Sequence, residues 1–346
     1  PRWEPAPFLR AKAAALLSYD SAEGNPGGIL GRDLEWLLAG KDPRYATPTP
    51  DQLRAATPSG FRDVWAALLQ QGPVEVDVFG DFNADAVVDA LSRTFGALPA
   101  RTAVPAPVAG PALPAGGPDA TILTHRGDPD QAAAVIAWPT GGGSANLPES
   151  RKLELLAQLF SNRLLDAMRE RIGASYAPYV GSNWPIDLPS GGEIVALAQL
   201  PPSQVPVFFD EAEKIARDLS TKPVAADELS RVTEPMLQLL NRAMTGHTFW
   251  LNLVQGGAFD QNRITQLPSL MQDYTRTTPE EMQALAAKYF AAQPGWRMAV
   301  MPQAARWSRM STWGTSPMLA AASSEGPRKL STVTDLAFSI SGLASL

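Results

Sequence analysis

Twice along the chain a Thr-Pro-acidic helix start leads into a short apolar strand. The first instance runs from "TPTPDQLRAA" (47–56) to "VEVDVFGD" (74–81), and the second from "RTTPEEMQALAAKYF" (276–290) to "WRMAVMP" (296–302). In the second, Thr278 as N-cap, Pro279 at the first helical position and Glu281 two residues later make a capping box. In the first, Val74, Val76 and Val78 alternate with Glu75 and Asp77, which predicts a strand over 73–81. The echo implies two copies of one α+β unit, the first lacking its front half.

Between the copies lies "ARTAVPAPVAGPALPAGGP" (100–118), almost uncharged and rich in Pro, Ala and Gly. That composition reads as a semi-extended linker and marks the clearest boundary in the chain. A length of 346 residues also suits two domains better than one. The expected division is 1–100 as the closing part of an α+β domain, 101–118 as linker, 119–302 as a complete domain and 303–346 as a tail. The tail is dominated by Ser, Thr and Ala without a firm period, and no function is assigned to it.

Within the first part, residues 5–70 read as helices, and "NADAVVDALSRTFGALP" (83–99) as a helix capped by Asn83. The second part opens with two strands, "ATILTHRG" and "AAAVIAWPT", then the turn-rich "GGGSANLPES". A long helix follows from about 149 to 172, where Leu153, Leu156, Phe160, Leu164, Met168 and Ile172 form one apolar stripe. Gly173 is placed to end it. "SYAPYVGSNW" and "EIVALAQL" (193–200) read as strands, followed by helices near 203–220, 226–245 and 247–256.

Composition narrows the function classes. Net charge is −6 with scattered Lys and Arg, which argues against a nucleic-acid partner. No apolar run approaches the ~18 residues of a membrane span. The chain has no Cys and two His, so cysteine nucleophiles and thiolate metal sites are excluded. His125 and His247 lie in neither HxxEH nor HExxH, and no metal site is expected on this chain. His125 in "HRGDPD" reads as a strand-end turn residue and His247 as a residue near a helix start. "GGGS" (141–144) has neither the setting of a serine elbow nor the lysine of a phosphate loop, and reads as a flexible connection. Trp138, Trp184 and Trp250 read as core residues by default, and "EIVALAQL" as a strand whose edge is open to an extended substrate.

One stretch remains, "DAMRERIGASYAP" (166–178). By itself, Arg169 suits the negative end of a helix dipole and Tyr176 a half-buried strand. Yet Arg169-Glu170-Arg171-Ile172-Gly173-Ala174-Ser175-Tyr176 resembles an element of the zinc peptidases of the insulinase and pitrilysin family. There an Arg is followed by six residues, including a Gly just past a helix end, and then a Tyr. "THRGDPDQAAAVIAWPT" (124–140) is similar to the opening strands of the last domain in bacterial members. Residues 42–101 look like the closing half of the domain before it. The resemblance covers roughly residues 8–302, and the tail departs from it.

The resemblance implies an α+β fold of repeated insulinase-type units, each a two-layer antiparallel sheet with helices on one face, the first unit incomplete. It also implies a clamshell of two halves around an unfolded peptide. The N-terminal half of the family carries HxxEH, with two zinc ligands and a Glu as general base. That motif is absent here, so the chain resembles the C-terminal, non-metal half, part of a zinc metalloendopeptidase but not catalytic by itself. Its partner would be an HxxEH-bearing half, on the same polypeptide or a separate subunit, with zinc expected on that half. No catalytic residue is expected on this chain alone. Arg169 would hydrogen-bond a carbonyl beside the scissile bond, and Tyr176 would donate to the substrate backbone or to the developing oxyanion. The competing reading is a catalytically silent scaffold or assembly subunit of the same fold. A periplasmic location is expected over a cytoplasmic one.

Overall fold

The computed structural model describes residues 3–101, 109–172 and 178–303. Five α-helices come first: α1 (Pro5–Ala22), α2 (Pro26–Leu38), α3 (Pro50–Ala55), α4 (Pro58–Leu68) and α5 (Ala84–Arg93). All but α5 begin with a proline, whose fixed φ and missing N–H suit the first helical turn. Asn25 and Asn83 cap α2 and α5 by accepting the Gly28 and Ala86 N–H groups at 2.8 and 2.9 Å. Then follow β1 (Ala120–His125), β2 (Ala132–Pro139), α6 (Leu147–Ile172), β3 (Tyr179–Asn183) and β4 (Glu193–Leu200). The chain continues through α7 (Val205–Thr221), α8 (Ala226–Ala243), α9 (His247–Val254), α10 (Gln261–Thr265), α11 (Leu270–Thr275) and α12 (Pro279–Phe290) to β5 (Trp296–Pro302).

The five strands form one sheet in the order β1-β5-β2-β4-β3. The pairs β5-β2, β2-β4 and β4-β3 are antiparallel, and β1 lies parallel to β5. β2 is central and nearly all apolar, "AAAVIAWP", because both of its faces are buried. Ala132, Ala134, Ile136 and Trp138 face α6, α7 and α12 in one core. Ala133, Val135 and Ala137 face the opposite way, into a second core completed by Ile29, Leu30 and Leu37 of α2. The α+β class expected from the sequence is the one observed. The second covering layer, contributed by α2, adds to the expected helices on one face. At about 1.5–3 kcal/mol per fully buried aliphatic side chain, α2 ties the first part of the chain firmly to the sheet.

Of the expected α6 stripe, Leu153, Leu156, Phe160, Leu164 and Met168 are all buried in the core, and the Ile172 side chain lies outside what is described. Both Thr-Pro helix starts are capping boxes. Thr278 and Glu281 exchange bonds of 3.2 and 3.0 Å, and Thr49 and Gln52 bonds of 3.3 and 2.8 Å. Trp138 and Trp184 are core residues, whereas Trp250 is half-buried and stacks on Phe79.

Residues 73–79 differ from the expected strand. They are extended but hydrogen-bond to no strand among the described residues. An alternating sequence prescribes side-chain direction, but a ladder needs a neighbouring backbone, and no described strand lies beside this one. Glu75 instead accepts the Gly256 and Ala258 N–H groups at 2.5 and 2.8 Å, and Phe79 meets His247 edge-on. The carboxyl-terminal part of the expected linker is docked. Leu113 packs on the second core, and Arg297 donates to the Pro118 carbonyl at 3.3 Å. Residues 102–108 and the tail from 304 lie outside the described residues.

Candidate functional site

The helix α6 carries the candidate stretch at its carboxyl-terminal end. Its inner face is fixed by the apolar stripe, and Arg163 forks onto Glu228 of α8 at 2.7 and 2.8 Å. Two arginines follow on the last turn with different surroundings. Arg171 pairs with Glu211 of α7 at 2.8 Å, and the Glu211 side chain is almost fully buried. Arg169, two residues earlier and so on another side of the helix, is exposed. Among the described residues it makes no hydrogen bond or ion pair. Arg171 therefore anchors the helix end, and Arg169 presents its guanidinium to solvent. Tyr176, with Gly173, lies outside the described residues.

Next comes β3, which among the described residues is an edge strand paired with β4 alone. The edge expected on "EIVALAQL" is therefore elsewhere. β4 is enclosed between β2 and β3, with both of its ladders satisfied, and among the described residues the unpaired edge belongs to β3. Sequence reading did not single out Tyr179, the first residue of β3, which stays 45% exposed. Its ring lies over Gly181, where a Cβ would come within 2.4 Å of the phenol oxygen. Alternation puts both residues on the sheet face opposite the helix layer, and α2 lies across β1, β5 and β2 on that face. The signal was available in "YVG": an aromatic two residues before a glycine in a strand, with room for the ring to lie flat.

The glycine run 141–143, expected as a flexible connection, is packed. A Cβ on Gly141 would fall 2.4 Å from the Trp184 ring, and Gly143 sits at φ +83° while its carbonyl accepts the Trp184 indole N–H at 2.8 Å. Gln266 closes the loop by donating to the Ser144 carbonyl at 2.8 Å and accepting the Leu147 N–H at 3.0 Å. The glycines are there for close approach.

The two histidines have different surroundings. His125 is buried, its Nε2 donating to the Gln131 carbonyl at 2.8 Å and its Nδ1 accepting the Gly127 N–H at 3.1 Å. These two bonds hold the ring in a strand-end turn, the role expected from the sequence. His247 opens α9 against the Phe79 ring. Among the described residues no three His, Cys, Asp or Glu converge on a point that could hold a metal ion. No described helix is long and apolar enough to cross a membrane.

A family model described as the peptidase M16 inactive domain matches residues 56–235. No curated protein sequence matches the chain. Among solved structures, the chain is similar to the peptidase M16 inactive domain from Pseudomonas fluorescens. The TM-score is 0.71 at 18% identity, over 87% of this chain and 72% of that one. It is also similar to the periplasmic protease PqqL from Escherichia coli, with TM-score 0.67 and 14% identity over 87% of this chain. A third similar structure is the ferredoxin protease FusC in complex with Arabidopsis ferredoxin, with TM-score 0.68 and 14% identity over 87% of this chain. The chain spans about a third of the length of PqqL and of FusC, 33% and 32%.

Proposed function

Since the chain belongs to the peptidase M16 inactive-domain family, and is a non-catalytic C-terminal half of a peptidase, we propose that it binds substrate for a partner half that cleaves it. In this reading the two halves close a chamber around an unfolded peptide in the periplasm. The partner half carries HxxEH, and its zinc supplies a polarised water for attack on the peptide carbonyl. The residues of this chain hold the peptide. Arg169 donates to a backbone carbonyl next to the scissile bond, and Tyr176 donates to the backbone or to the oxyanion as charge develops.

The observation that carries this reading is the contrast within one helical turn. Arg171 is committed to a buried carboxylate, while Arg169 is exposed with its five donors unused among the described residues. The backbone that bears this guanidinium is fixed, since it belongs to a 26-residue helix whose inner face packs in the core. Among the described residues β3 also has an unpaired edge, suited to an extended backbone.

The test is a paired substitution in the assembled peptidase. Arg169→Ala is expected to lower kcat/KM for a quenched fluorescent peptide by about 100-fold, the loss of a transition-state donor, with an unchanged melting temperature. Arg171→Ala is expected to do the reverse, lowering the melting temperature by a few degrees while activity per folded molecule persists. Equal activity in the wild type and Arg169→Ala sinks the assignment.

A further inference from the structure

On the sheet face opposite the helix layer, α2 packs over β1, β5 and β2. Beyond it β3 presents Tyr179, Gly181 and Asn183. Their directly paired neighbours on β4 are Leu197, Val195 and Glu193, and Val195 and Leu197 belong to the core on that face. Opposed residues share a face, so Glu193 lies there too. The Tyr179 ring lies along the strand over Gly181, and its hydroxyl has no hydrogen-bond partner among the described residues. The helix α2 runs beside β4. At one end a Cβ on Gly27 would come within 3.0 Å of Gln199 Nε2, and at the other Glu35 is near enough for its charge to act on Glu193.

Glu193 is unusual among the part-buried carboxylates. Glu211, Asp273 and Glu228 pair with Arg171, Arg151 and Arg163, and Glu154 has the Arg151 charge nearby. Glu193 receives only the Asn183 amide, at 3.2 and 3.3 Å to its two oxygens. No Lys or Arg pairs with it among the described residues, and the charge set against it is Glu35, which is also without an ion pair. Burial first, and then that like charge, raises its carboxyl to about 7. A cation brought to this place is attracted by both carboxylates, and the unpaired edge of β3 lies one strand away.

We propose that β3, β4 and α2 form a specificity strip for an extended peptide carrying a lysine or arginine. The peptide backbone pairs with the β3 edge, one side chain packs on the Tyr179 ring, and the basic side chain, four residues along, crosses Asn183 to Glu193 and Glu35. Two strand spacings, about 10 Å, separate the peptide backbone from β4. A long stem with a charged tip and a glutamate leaning toward it span that gap. The inference rests on the proposed function for taking this peptide as the substrate, and it adds the side chain by which the substrate is selected.

The probes are short acetylated and amidated peptides of alternating Thr and Val, identical except for Lys, Gln or Glu at one position. Binding to this chain is read by calorimetry, and backbone protection by hydrogen exchange. The Lys peptide is expected to bind at least about tenfold more tightly than the Gln peptide, and the Glu peptide more weakly than either. Its affinity should rise from pH 6 to pH 8, because the cation binds the ionised form of Glu193, while that of the Gln peptide stays level. Glu193→Gln should remove both the preference and its pH dependence. Glu35→Lys, at an exposed position that folding tolerates, should turn the preference toward the Glu peptide. Bound Lys peptide should slow exchange at residues 179–183. Equal binding of the three peptides, or no binding of any, overturns the proposal. So does a Lys preference that survives both substitutions, or one that leaves exchange at 179–183 unchanged. Cleavage of the same peptides by the assembled peptidase separates the two readings. Cleavage without a Lys preference overturns the strip and leaves the proposed function standing. A Lys preference in binding with no cleavage by a folded assembly refutes that function and leaves the strip intact.

Discussion

Glu154 lies on α6 between the core and α11, where the Tyr274 hydroxyl donates to its Oε2 at 2.5 Å. Burial, the largest influence, pushes its carboxyl up to about 7, against the lowering effects of Tyr274 and of the nearby Arg151 charge. Glu193, at the start of β4, is likewise raised to about 7 by burial, although Asn183 donates to it at 3.2 Å. A carboxyl raised in the folded state binds its proton more tightly there than in the unfolded chain. Its contribution is fully present below the unfolded pKa of about 4.5 and is lost as pH rises through about 7. The melting temperature is therefore expected to fall between pH 5 and pH 8. Glu154→Gln should flatten that slope, by on the order of 2 kcal/mol at the alkaline end. An unchanged slope in Glu154→Gln would mean that the carboxyl is ionised throughout. At this scale the sequence shows residue types but not their partners. Nothing in "MRERI" separates Arg169 from Arg171 until Glu211 is seen against one and not the other. Likewise, the buried position of His125 depends on a carbonyl six residues away.

Elements with a local cause were legible. The α6 stripe, the Thr278 capping box and the Asn83 cap follow from spacing within a few residues, and each is found as expected. Elements whose state depends on a distant backbone were not. "VEVDVFGD" has the side-chain pattern of a strand but lacks a neighbour, and "EIVALAQL" looks like an open edge but lies between β2 and β4's other partner, β3. "GGGS" looks loose because the Trp184 ring that fills its surface lies about 40 residues on. The difference between elements predicts a difference in stability. Leu156→Ala, in the fully buried stripe, is expected to cost about 2–5 kcal/mol in denaturant unfolding. Val88→Ala, on the open α5 face, should stay within about 0.5 kcal/mol in the isolated chain. Comparable losses at both positions would show that the α5 face is already covered.

For the whole molecule, the sheet is the frame that makes two functions separable. One face carries α6, α7 and α12 and so positions the Arg169 turn. The other face is covered by α2, which brings the first unit with it. In that first part, Val74, Val76 and Val78 are left exposed among the described residues. Hydropathy gave α2 an apolar side without saying which surface it would cover, because that choice is made by the shape of the sheet's second face. The account as a whole holds that this chain is inert by itself and completes a peptidase. The most direct test is the rate at which an HxxEH-bearing half cleaves a quenched fluorescent peptide, measured alone, with this chain, and with its Tyr176→Phe variant. The account predicts a large rise on addition of the chain and a loss of about 100-fold of that rise in the variant. No rise with a folded, bound partner would contradict it and leave a scaffold of the same fold.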